Sequence, residues 1–117
     1  MRRAGDNARM TTDLPAPVAR LVAAINDADT EAFVAAFTAD GYVDDWGRVL
    51  RGHDGVRGWA DTDAIGQGAQ MTVLTWERDG DTVTTTFGWT SRRFNGESTG
   101  IFEIDGDLLA SFTIPPH

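Results

Sequence analysis

Apolar residues first become periodic at Val18, Leu21, Val22 and Ile25, the i, i+3, i+4, i+7 spacing of one helical face. Leu14-Pro15-Ala16-Pro17 just before them supplies a start, because proline in the first turn loses no intrahelical hydrogen bond. Asn26-Asp27-Ala28-Asp29 then breaks the period. Asp29 is a natural N-cap for a second helix, and Glu31 puts negative charge near its positive end. Phe33, Val34 and Phe37 form the expected buried face of that helix, and Asp40-Gly41 its stop. So tight a link predicts that the two helices pack as a hairpin.

Beyond this point the pattern shortens. Residues 42–46 read as a short strand, Gly47 as a turn and residues 48–50 as a second short strand. A third helix is expected from His53-Asp54, with Val56, Trp59 and Ala60 on one face, Gly58 weakening it and Gly66 and Gly68 closing it. The rest follows a period of two. Residues 71–77 are rich in Thr, Val and Trp, and Asp79-Gly80-Asp81 is a hairpin signal. In residues 82–90, Val83, Phe87 and Trp89 alternate with Thr82, Thr84 and Thr86, which marks a strand with one apolar face. Asn95-Gly96 signals another turn, residues 98–104 a third strand, Asp105-Gly106-Asp107 a further turn and residues 108–114 a fourth strand, ended by Pro115-Pro116. Helices segregated from antiparallel strands predict an α+β domain with the helices over one face of the sheet. There is no internal repeat, low-complexity tract or linker.

Composition narrows the class. A chain of 117 residues with four Trp, six Phe and 41% hydrophobic residues is sufficient for one packed core. Residues 1–13 read as a disordered leader: Arg2, Arg3 and Arg9 are present, but not the apolar middle of a secretion signal. Residues 14–117 read as the single domain. No apolar run approaches the roughly 18 residues of a membrane span, so no membrane partner is expected. The net charge of −8 argues against nucleic acid as a partner, since phosphate binding needs basic stripes. Every basic residue is Arg, which with abundant Ala, Gly and Asp fits a GC-rich bacterial source. Zero cysteines excludes disulfides, thiol catalysis and thiolate metal sites, and fits a cytoplasmic location.

An ordered series of segments carries a family likeness. Residues 23–29, Phe33 to Phe37 and Ala39-Asp40 come first. Val43-Asp44-Asp45-Trp46-Gly47, Leu50-Arg51-Gly52 and Val56-Arg57-Gly58-Trp59 follow. Over roughly residues 14–114 the chain resembles the SnoaL-like and nuclear transport factor 2-like superfamily, which includes the ketosteroid isomerases. The resemblance implies a cone-shaped, curved antiparallel sheet wrapped around three helices of the N-terminal half, a cystatin-like roll. It also implies a mostly apolar pocket and a homodimer packed through the open face of the sheet. Superfamily functions range from isomerases, cyclases, hydrolases and dehydratases to binding or assembly modules, so the fold alone does not give the function.

Asp45 is the candidate catalytic residue. Strand parity puts Val43 and Asp45 on one face and Tyr42 and Asp44 on the other. The resemblance implies that a carboxylate at this position moves a proton on the substrate. A carboxylate against Trp46 and the helix aromatics would be desolvated, which raises its pKa and strengthens it as a base. The competing reading is a solvated loop in which Asp44 and Asp45 cap backbone amides. The isomerases also use oxyanion donors, and the resemblance places these at Leu21 and near Gly100, residues with no side-chain donor.

Val43, Trp46, Trp59, Phe87 and Trp89 are the expected pocket residues, since a pocket in such a domain is lined by large rigid rings. Trp76 has the opposite parity to Met71 and Val73, so it is expected to face a dimer partner. Arg92-Arg93 are either a solvated hairpin end or an anion contact at the pocket rim. His53 is either a proton shuttle or, at a helix start, a solvent-facing side chain. With His117 as the other histidine and no Cys, neither a metal site nor a cofactor is expected. Two function classes remain open: acid/base chemistry on a small hydrophobic or polyketide-like molecule, and a non-catalytic ligand-binding or dimeric assembly module.

Overall fold

Residues 14–116 are described by the computed structural model; the leader expected over residues 1–13 lies outside them. Helix α1 (Ala16–Asn26) opens with Pro17 in its first turn and buries Val18, Leu21, Ala24 and Ile25. Helix α2 (Thr30–Ala35) is capped as its sequence predicts: the Asp29 side chain accepts from the Ala32 amide at 3.0 Å. It is shorter than the pattern suggests. Phe37 is already the first residue of strand β1 (Phe37–Asp45), and Asp40-Gly41 runs through the strand instead of stopping a helix. The Leu109 amide donates to Ala36 O at 2.8 Å, and Phe37 pairs with Leu109, so a long-range partner captures the chain just as the helix ends.

Strand β2 (Arg48–Arg51) folds back on β1 through the two-residue turn Trp46-Gly47. Both turn residues have positive φ, +58° and +89°, the geometry whose twist matches paired strands. The turn is braced by the Gly47 amide donating to Asp44 Oδ1 at 2.8 Å and the Trp46 amide donating to Ile114 O at 2.9 Å. Helix α3 (Gly52–Asp63) follows, then a single 3₁₀ turn at Ile65–Gln67. His53, in its first turn, contacts Phe37 O through Nε2 at 3.1 Å, so that nitrogen donates. Arg57 of α3 pairs with Glu31 of α2; this hydrogen bond, and the charge behind it, raise the guanidinium pKa further.

The meander β3 (Gln70–Asp79), β4 (Thr82–Thr90), β5 (Asn95–Asp105) and β6 (Leu108–Ile114) completes a six-stranded sheet of order β2-β1-β6-β5-β4-β3. All pairings are antiparallel except β1 with β6. That parallel pair joins strands about seventy residues apart, the kind of pairing that needs a long crossover between its strands. The sheet is curved and carries the three helices on its inner face. Asn26, the last residue of α1, is held by tertiary contacts: its side-chain amide donates to Met71 O at 2.9 Å and accepts from the Met71 backbone amide at 2.7 Å. This occupies backbone groups of β3 at the sheet edge.

Two local readings are corrected. Asn95-Gly96 is not the turn; both residues belong to β5, opposite Thr90 and Trp89. The chain reverses at residues 91–94, where the Ser91 hydroxyl accepts from the amides of Arg93 and Phe94 at 3.1 and 3.0 Å. In β3 the register slips between Val73 and Thr75, leaving Leu74 exposed. One extra residue reverses the face of everything after it. Trp76 thus lies opposite buried Thr85 and packs half-buried against the core, not on the outer face.

Candidate functional site

The interior of the roll is filled with rings. Phe33 of α2, Trp59 of α3, Phe87 and Trp89 of β4, Phe102 of β5 and Phe112 of β6 form one continuous cluster. Centroids are 5.8 Å apart for Phe33–Trp59, 5.9 Å for Trp59–Phe112, 6.2 Å for Phe87–Phe112 and 4.6 Å for Phe102–Phe112. Where the rings end, a cleft of about 310 Å³ begins. It is lined by Asp45, Trp46, Trp59, Asp63, Phe87, Trp89, Ser91, Arg93, Phe94, Ser98 and Ile114. Trp59, Phe87 and Trp89 give it a buried apolar floor, while Trp46 and Phe94 are its exposed aromatic members.

Asp45 is the last residue of β1, opposite Ile114 of β6 and Arg48 of β2. Its side chain is 22% exposed. The Trp59 indole N–H donates to Oδ2 at 3.1 Å, and Arg48 Nη2 approaches the same oxygen at 3.4 Å. Oδ1 has no partner among the described residues, so one oxygen of this cleft-lining carboxylate is anchored and the other is not. The surroundings are not the aromatic ones expected alone, because a second carboxylate and a guanidinium stand beside it. Arg48 Nη2 also donates to Asp63 Oδ2 at 2.6 Å, linking the two carboxylates through one cation. Asp63 further accepts from its neighbour Thr62.

Of the five expected pocket residues, Trp46, Trp59, Phe87 and Trp89 line the cleft and Val43 does not. Parity did put Val43 on the inner face, but it pairs with Phe112 and is fully buried in the ring cluster, away from the opening. His53 is also not among the lining residues. Among the described residues no three His, Asp or Glu side chains are grouped to hold a metal ion. No helix among them is long and apolar enough to cross a membrane.

Leu21 and Gly100, the positions at which the resemblance implies oxyanion donors, offer none here. Leu21 is fully buried. At Gly100 a side chain has no space, since a Cβ would lie 3.0 Å from Phe112 Cε1, Phe87 Cε1 and Thr85 Oγ1 alike. Thr85 donates instead to Gly100 O at 2.9 Å.

Sequence reasoning missed Asp63, Ser91, Phe94, Ser98 and Ile114. Asp63 was accessible, since it sits four residues after Trp59 and so on the same face of α3. Ile114 was not, because only the parallel β1–β6 pairing puts it beside Asp45.

A curved six-stranded sheet with three helices inside and a cleft at its open end defines the nuclear transport factor 2-like and cystatin-like class of α+β proteins. The sequence model of the SnoaL-like domain family matches residues 18–112. The chain belongs to that family.

Among solved structures, a proposed polyketide cyclase from Sinorhizobium meliloti is similar at 24% identity and a TM-score of 0.79, over 91% of this chain and 99% of that one. A protein with a ketosteroid isomerase-like fold from Catenulispora acidiphila, solved with trimethylamine, matches at 22% identity and a TM-score of 0.71, over 87% and 85%. A computationally designed 17-OHP binder matches at 16% identity and a TM-score of 0.75, over 88% and 91%. At these identities the likeness concerns the fold. A search of curated protein sequences found no match.

Proposed function

We propose that the cleft holds a small apolar molecule and that Asp45 moves a proton on it, in isomerase-, cyclase- or hydrolase-type chemistry. The observation that carries this reading is a carboxylate at the cleft wall with Oδ2 held by the Trp59 indole and Oδ1 unengaged among the described residues. A base needs an oriented oxygen within reach of the substrate, and the indole supplies the orientation. In an enolisation, Asp45 would take a proton from a carbon beside a carbonyl, the electron pair would move to the carbonyl oxygen, and the proton would return to carbon. The buried rings of the floor would hold the apolar body of the substrate and exclude water from it.

Proton–deuterium exchange into 2-tetralone, an apolar bicyclic ketone, tests the proposal. The wild-type protein is expected to accelerate exchange in heavy water. Asp45→Asn is expected to lower that acceleration at least about a hundredfold, with calorimetric affinity for the ketone within about twofold. Equal exchange by the two proteins would rule Asp45 out as the base.

The second reading, a non-catalytic binding module, has its own support. Arg48 and Trp59 both already engage Asp45, and the donor positions of the isomerases are occupied by Leu21 and Gly100. Binding of the ketone without any exchange would favour it. Either reading fits a homodimer through the open face of the sheet, where Thr84 and Thr86 of β4 stand opposite Ile101 and Thr99 of β5.

A further inference from the structure

The turn between β4 and β5 carries two adjacent arginines with different surroundings. Arg92 is engaged in structure: its amide donates to Gln67 O at 3.0 Å and its Nη2 to Gly66 O at 2.7 Å, tying the turn to the 3₁₀ segment after α3. Arg93 lines the cleft, and its guanidinium has neither an ion pair nor a hydrogen bond among the described residues. Its backbone is nevertheless fixed, because the Ser91 hydroxyl accepts from the amides of Arg93 and Phe94 and the Ser91 amide donates to Phe94 O at 3.0 Å. Ser98 of β5, opposite Phe87, adds a half-buried hydroxyl to the same cleft with no side-chain partner among the described residues.

The charges of the site are thus divided. Asp45 and Asp63 already share the Arg48 guanidinium, whereas Arg93 has no counter-charge among the described residues. A cationic ligand at the acidic side would compete with Arg48 and would face Arg93 inside the same cleft. An anionic group at Arg93 would meet a cation with all its donors available. From this arrangement we infer that the ligand of the cleft is an amphipathic anion. An apolar ring body lies on Trp59, Phe87 and Trp89, and a carboxylate or similar anionic group is held by Arg93 and the Ser98 hydroxyl. The inference rests on the reading of the cleft as a small-molecule site and specifies its ligand class.

Three probes of one shape separate the outcomes: 2-naphthoate, 2-naphthamide and 2-naphthylmethylamine, each titrated calorimetrically into the protein at low ionic strength. Naphthoate is expected to bind about tenfold or more tightly than naphthamide, and the ratio to shrink as salt is raised. Arg93→Gln is expected to abolish the preference by lowering naphthoate affinity to about that of naphthamide, and Arg93→Lys to restore part of it. A urea unfolding midpoint within error of the wild-type value shows that the variant is folded. Equal affinity for naphthoate and naphthamide, tightest binding of the amine, or a preference that survives in Arg93→Gln would each overturn the inference while leaving the cleft as a ligand site. Failure of all three probes to bind would overturn both the inference and the reading of the cleft on which it rests.

Discussion

Gly100 shows how packing limits what one position can hold. It is bounded by Phe87, Phe112 and Thr85, each 3.0 Å from where a Cβ would stand. Two of those neighbours are rings within the packed cluster, so they have little room to give. Gly100→Ala is expected to destabilise the fold by about 1–3 kcal/mol, the usual cost of overpacking, as read from urea unfolding. A neutral result would mean that the ring wall yields, and that the roll can open a deeper cavity than the cleft at its mouth. Asp45 illustrates the complementary case. Its sequence context supplied the residue and its face, but the indole that orients it comes from a helix fourteen residues away.

At the scale of elements, α3 and β3 each depart from an ideal pattern, with different consequences. Helix α3 brings Trp59 and Asp63 to the cleft despite Gly58 in its interior. A Cβ at Gly58 would meet nothing within 4 Å. Gly58→Ala is therefore expected to stabilise the protein by about 0.5–1 kcal/mol, because only the unfolded chain loses freedom. A raised urea midpoint with an unchanged slope would show this, and a lowered midpoint would mean that the helix needs its glycine. In β3 the slip at Leu74 is decisive for Trp76, which it returns to the core side. Alternation alone cannot register an inserted residue, so the expectation of an outward Trp76 failed for a definable reason.

For the whole molecule, the open face of the sheet is the surface we propose for assembly. Thr84, Thr86, Thr99 and Ile101 form half-buried cross-strand neighbours there, with Tyr42 and Thr113 on β1 and β6. These small and apolar side chains suit a self-complementary interface, with Asp44 opposite Thr113 and Glu103 opposite Thr82 as acidic members of the same face. Sedimentation at micromolar concentration is expected to show a dimer, and Ile101→Arg to shift it to monomer without loss of fold. A wild-type monomer would remove this face as a homodimer interface.

The helix pair, the Asp29 cap, the period-two strands and the α+β class were legible along the chain, because each depends on neighbours a few residues apart. The sequence also put forward Asp45, Trp46, Trp59, Phe87 and Trp89, and these line one cleft in the folded chain. Tertiary structure alone decided the rest. The early start of β1, the parallel pairing that places Ile114 beside Asp45, and the full burial of Val43 all arise from partners distant in sequence. The same holds for the two arginines of the β4–β5 turn, identical in sequence terms. One is engaged by the backbone of Gly66 and the other is left to the cleft, a distinction that only the folded chain can make.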